Sequence, residues 1–151
     1  MEELYNRTLE LVKELFKEKR DKAGEEYINH LLFVADNVDT YEEKIVGLLH
    51  DIIEDTFVTE KHLYSLGYPK KIVDAVKLLT RDKKISYNEY IENILKSNNL
   101  LAIKVKQVDM MNNMDPNRLK NLDYETQVRL TKKYGEQYYK ILVKLKEIEK
   151  W

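Results

Sequence analysis

The sequence predicts an all-α domain, and three observations predict it. Apolar residues recur at helical spacing along most of the chain. Only 4 Gly and 2 Pro interrupt the 151 residues. No segment sustains the period-two alternation of a half-buried strand.

Residues 3–19 place Leu4, Thr8, Leu11, Val12 and Leu15 on one face, with Lys and Glu elsewhere. Gly24 interrupts the pattern, and a second helix is expected from about Glu26 to Asn37. A third runs from about Tyr41 to Glu54, opened by the capping-box pair Thr40 and Glu43. Thr59 caps a short helix through Leu66, which Gly67 ends. Pro69 suits the first turn of a fifth helix that reaches Leu79. Ser86 with Glu89 opens a helix to about Lys96, and Asn98 or Asn99 starts another through about Met111. Asp123 caps a last long helix ending near Trp151. The total is about seven or eight helices. No linker, repeat or low-complexity segment divides residues 1–151, a length that suits one domain with a sizeable core.

Composition narrows the function classes. With 43% hydrophobic and 35% charged residues, the chain reads as soluble and globular, not disordered. A net charge of −1 argues against a stable nucleic-acid complex, which favours a basic surface. The absence of cysteine removes disulfides, thiolate metal sites and Cys nucleophiles. The amino-terminal residues lack the apolar core of a signal peptide, and no stretch approaches the roughly 20 apolar residues that span a bilayer. The expectation is a cytoplasmic protein with no membrane partner; a homo-oligomer is left open.

The chemistry centres on His50-Asp51, inside the apolar run "VGLLHDIIEDT". An imidazole and a carboxylate beside Leu48, Leu49, Ile52 and Ile53 are costly to bury uncompensated, and a cation would compensate them. His30 lies ten residues before Thr40 and His50 ten after it. In an antiparallel helical hairpin that turns near Thr40, the two imidazoles are level and can face each other. Asp109, at the end of an apolar helix, is the candidate fourth ligand, with Asn113 one turn on. Two nitrogens and two oxygens suit Mn²⁺ (manganese), Fe²⁺ or Zn²⁺. Glu54, four residues after His50, and Asp55 are candidates to orient or deprotonate a bound water, whose pKa a metal lowers from about 15.7 to about 7. Arg20 and Lys22 before the first histidine, and Lys106 before Asp109, are candidate phosphate contacts. Arg81, Lys83, Lys84 and Arg118 are further basic groups available to a pyrophosphate.

Three segments carry a resemblance. "GEEYINH" (24–30), "LLHDIIEDT" (48–56) and "VKQVDMMNNM" (105–114) resemble, in order, the motifs of the HD-domain phosphohydrolases. The match is nearest to the hydrolase domain of RelA/SpoT-type proteins, which remove the 3′-pyrophosphate of (p)ppGpp with Mn²⁺. The resemblance spans about residues 19–119 and implies a single compact HD-domain helical bundle, here in a small stand-alone form. It implies metal ligation by His30, His50, Asp51 and Asp109, and a catalytic pair in Glu54 and Asp55. It also implies nucleotide contact by Asn113, a base or phosphate contact by Lys19 or Arg20, and a nucleoside-lining role for Tyr134. The chain departs from the pattern at Glu26 and Leu31, where the family carries proline, and at Met110 and Met111. The implied activity is a metal-dependent nucleotide phosphohydrolase acting on an alarmone such as (p)ppGpp. A 5′-nucleotidase or dNTP phosphohydrolase would use the same metal set. A nucleotide-sensing or partner-binding module is the non-enzymatic alternative, against which the intact Glu54-Asp55 pair argues.

Overall fold

The computed structural model describes residues 1–150. Its described residues form ten helical elements and no strand. They are α1 (Glu2–Leu15), α2 (Tyr27–Asp36), α3 (Tyr41–Leu49), α4 (Ile52–Asp55), α5 (Glu60–Ser65), α6 (Lys70–Leu78), α7 (Tyr87–Lys96), α8 (Leu100–Asn113), α9 (Pro116–Leu119) and α10 (Tyr124–Glu149). Trp151, where the sequence puts the end of the last helix, lies outside the described residues.

The all-α expectation holds, with two differences in element count. The expected helix over residues 41–54 breaks at His50-Asp51 into α3 and α4. No Gly or Pro causes the break. Asp51 sits at φ −105°, ψ 3°, in the bridge region between helix and strand geometry. Its carboxylate there receives a hydrogen bond from the Tyr27 hydroxyl on α2, a tertiary contact that local periodicity does not carry. The second difference is α9, one turn started by Asp115, whose side chain accepts from Asn117 N–H, with Pro116 at the first helical position.

Five of the ten helices start at the side-chain caps expected of them. Thr40, Ser86, Asn99 and Asp123 each accept a backbone N–H three residues on. Glu43 does not close the box on Thr40; its Oε2 accepts from Asp39 N–H instead, 3.0 Å away. Thr59 makes a full capping box, in which His62 supplies the side chain that usually comes from Glu or Gln. Pro69 is the residue before α6, not its first turn. After α5, Gly67 at φ +92° turns the chain, and Tyr68 N–H returns to Leu63 O at 3.2 Å. That reversed bond is a Schellman closure, which only a left-handed residue permits without strain.

Two helices form the centre. α3 packs on α1, α2, α6 and α8, and α8 packs on α2, α3, α6, α7, α9 and α10. The core joins Phe16, Leu31, Val34, Ile45, Leu48, Leu49, Ile72, Ile91 and Ile103, all fully buried. The α2–α3 hairpin is latched by Lys44, whose Nζ donates to Ala35 O and Val38 O at the end of α2. It is also close: a Cβ built on Gly47 would meet Val34 Cγ1 at 2.9 Å and Ala35 N at 3.5 Å. Both neighbours are completely buried, so neither has room to yield.

Gly47→Ala should therefore lower stability by about 1–3 kcal/mol, the usual cost of overpacking a filled core. Urea unfolding measures this directly. An unchanged midpoint would show that Val34 rotates away freely.

Candidate metal centre

The α2–α3 hairpin brings the two histidines together. Their ring centroids are 5.3 Å apart, at 68° between planes. Asp51 enters at the α3–α4 break and Asp109 from α8. His30 Nε2 lies 2.8 Å from Asp109 Oδ1. His50 Nε2 lies 3.0 Å from Asp51 Oδ2 and 3.3 Å from Asp109 Oδ1. Ligand atoms of His30, His50 and Asp51 all fall within 4.8 Å of one another.

The outer ring nitrogens decide what the inner ones can do. His50 Nδ1 is 2.6 Å from Gly47 O, which can only accept, so the proton sits on Nδ1. His30 Nδ1 lies between an acceptor and a donor, 2.7 Å from Asn112 Oδ1 and 2.8 Å from Arg118 Nη1. Both Nε2 atoms face carboxylate oxygens. His50 Nε2 is buried and has no hydrogen-bond partner among the described residues. Two imidazole nitrogens and two carboxylates converging in a buried pocket fit a cation. The backing of each imidazole by an oxygen is the usual support of a ligating histidine. Burial pulls the His50 pKa down, but the Asp51 and Asp109 charges outweigh it and hold it well above its ordinary value. The field that favours positive charge on His50 favours a metal cation as well.

Each carboxylate has a dedicated partner. Burial raises Asp109, but Lys106, His50 and His30 outweigh it and place its pKa well below the ordinary range. Lys106 is not a surface residue: it is 7% exposed, and its Nζ lies 2.7 Å from Asp109 Oδ2. Asn113 Nδ2 donates to Asp109 Oδ1 at 3.1 Å. Tyr27 donates to Asp51 Oδ2, and burial together with the Asp51 charge raises its pKa, so the phenol keeps its proton.

A cavity of about 350 Å³ opens from this cluster. Of the sequence-predicted residues, His30, Asp51, Asp109, Lys106, Asn113, Arg20, Lys22 and Tyr134 line it. His50 lies behind that wall. Lys19, Glu54 and Asp55 do not line it: Lys19 donates to Asp55 O, and Glu54 Oε1 accepts from Arg81 N–H. Burial raises the pKa of Glu54 and of Asp55, and the Asp51 charge adds to both. Asn113 has both ends of its amide occupied, since Oδ1 accepts from Arg118 at 2.6 Å.

Several residues of the site carry no role in the sequence reading. Tyr27 stands one turn before His30 and Asn112 three residues after Asp109, so helical spacing was signal enough for both. Arg118, one of the available basic groups, is placed on the cavity wall by α9. It also bonds Asp21 Oδ2 at 3.1 Å and Asn112 Oδ1 at 3.1 Å. Tyr87 lines the cavity without any sequence signal.

Removing Lys106 leaves Asp109 buried with one cation fewer. Lys106→Met should cost about 3–5 kcal/mol, as does breaking a buried pair on one side. Lys106 is raised, its Asp109 and tyrosine partners outweighing burial. Its contribution is therefore complete below about pH 10.4 and lost as pH rises through the raised value. Asp109 is depressed, so its contribution is complete above about pH 3.9 and lost as pH falls through the lowered value. The deficit of the variant in urea unfolding should hold constant between about pH 5 and pH 9.

No family model matches the chain, and no curated protein matches it. Among solved structures, one from a metazoan, described as an orthologue of SpoT that hydrolyses ppGpp and plays a role in starvation responses, aligns with a TM-score of 0.72. The two chains are 22% identical, and the alignment covers 95% of this chain and 92% of that one. This chain has the all-α fold of that structure over almost its full length.

Proposed function

We propose that the protein is a metal-dependent nucleotide phosphohydrolase that removes pyrophosphate from a guanosine polyphosphate such as (p)ppGpp. The observation that carries this reading is the convergence of His30, Asp51 and Asp109, with His50 behind them, at the wall of a cavity ringed by Arg20, Lys22 and Arg118. The likeness to a structure described as a ppGpp hydrolase supports the substrate class.

His30, His50, Asp51 and Asp109 would hold the ion, and an N₂O₂ donor set suits Mn²⁺, with Fe²⁺ and Zn²⁺ also compatible. When bound there, a divalent cation supplies Lewis acidity at phosphorus and brings the pKa of a water toward about 7. Tyr27 and Asn113 orient the two carboxylates, and Lys106 offsets the charge of Asp109. In the hydrolysis, water adds to phosphorus and the bond from phosphorus to the ribose 3′-oxygen breaks, giving the 3′-hydroxyl and pyrophosphate. Arg20, Lys22 and Arg118 offset the charge of the phosphates. Glu54 and Asp55 are the proposed proton carriers, since their raised pKa values bring them nearer the working pH. Leu119, Leu122, Leu130 and Tyr134 form the less polar wall against which a base can lie.

With Mn²⁺, the purified chain should release pyrophosphate from ppGpp. Asp51→Ala should lower kcat by about 10³-fold or more and reduce bound metal, with mass spectrometry and metal analysis as readouts. Release of inorganic phosphate or triphosphate from simple nucleotides, with ppGpp untouched, would transfer the reading to the nucleotidase class.

A further inference from the structure

The last helix carries apolar residues on two sides. Leu130, Gln137 and Ile141 are its buried residues and form the inner face of α10. A second apolar stripe runs along the outside. Tyr124, Val128, Tyr139 and Leu142 are all exposed, Tyr124 by 80% and Tyr139 by 68%. At about 100° per residue these four fall within an arc of roughly 60°, centred about 150° from the inner face. Exposed apolar residues scattered singly are ordinary, but a run of them along one side of a 26-residue helix marks a contact surface. Gly135 stands in the middle of that stripe, and a Cβ built on it meets nothing within 4 Å. A glycine inside a helix weakens it relative to alanine, and here no neighbour within the fold requires one. It leaves a point where a second helix can approach at the short end of the usual interaxial range of about 8–10 Å.

The stripe is symmetric about that glycine. Seven residues before and after it stand Val128 and Leu142, and eleven before and after it stand Tyr124 and Lys146. Two copies that run antiparallel and cross at Gly135 therefore place Val128 of each against Leu142 of the other, and Tyr124 against Lys146. A two-fold interface requires this reciprocity, in which residue i meets j and j meets i. The first pair is apolar, and the second sets an ammonium over a phenol ring. Lys132 of one copy then stands within about 3 Å of rise of Glu136 of the other, on the same flank of the pair, where opposite charges attract. The match on both sides of the glycine selects a second copy over an unrelated partner.

We propose that the outer face of α10 is the interface of a two-fold homodimer, in which two copies pack antiparallel and cross at Gly135. The paired stretch, from Tyr124 to Lys146, is about 33 Å long, which is short for an obligate interface, so the association is reversible. The inner side of the same helix carries Leu130 and Tyr134 of the cavity wall, and pairing braces that wall from outside. The dimer does not depend on the phosphohydrolase reading.

The chain has no cysteine, so one introduced thiol reports the register without background. On oxidation, Gly135→Cys should join two copies, since the crossing brings the two Cα atoms within the roughly 6.8 Å that a disulfide spans. Val128→Cys and Leu142→Cys should each stay unlinked alone, because equivalent residues of the two copies stand about 21 Å apart, and should link to each other when the two proteins are mixed. Sedimentation equilibrium of the unaltered chain should show a concentration-dependent exchange between monomer and dimer. Gly135→Glu, whose new side chain has open space within its own fold, should weaken that association by about tenfold or more through like charges at the crossing, with circular dichroism unchanged. A monomer at every concentration, or a dimer indifferent to Gly135→Glu, would overturn the proposal. So would linkage of Val128→Cys to itself, which indicates a parallel pair.

Discussion

Everything at the site depends on how the bundle accommodates one buried carboxylate. Asp109 lies on α8, the helix with the most neighbours, and is almost fully enclosed. A bare carboxylate there would be far too costly, so its surroundings are arranged to hold it ionised. Lys106, one turn earlier on the same helix, takes one oxygen. His30, His50 and Asn113 gather at the other. Those partners come from α2, from the end of α3 and from α8 itself. The packing of these three helices and the assembly of the donor set are therefore one event: neither can shift without exposing charge to apolar surroundings.

Much of this was legible in the sequence because it is local or nearly so. Helical spacing marks the longer helices, and short polar caps at Thr40, Thr59, Ser86, Asn99 and Asp123 mark five of the ten starts. The meeting of His30 with His50 follows from equal distances to one turn. What the sequence did not disclose is tertiary. The break at His50-Asp51 has no local breaker and is accompanied by the pull of Tyr27 on Asp51 across 24 residues. Lys106 looks like any lysine in an amphipathic helix until α8 is seen to be enclosed on almost every side. The placing of Arg118 requires α9, whose four residues are too short to show a period.

The cavity divides its labour by element. Residues from α2, the α3–α4 junction and α8 bring imidazole and carboxylate groups together, whereas the segment before α2 supplies Arg20 and Lys22, and α9 and α10 supply Arg118 and apolar wall. The two sets meet at Arg118, which ties Asp21 to Asn112 and Asn113. The loop before α2 is thereby pinned to the helix that carries Asp109. The imidazole–carboxylate cluster and the outer wall are held in one frame.

The separation of the two imidazoles is set by a residue with no chemistry. Gly47 contributes only a hydrogen where α2 and α3 cross, and its carbonyl also fixes the proton on His50 Nδ1. The hairpin acts as a gauge whose thickness is one missing methyl group, and the same residue selects the tautomer read at the other end of the ring. A mutational survey confined to polar side chains would list every donor in the cluster and overlook the position that sets their spacing.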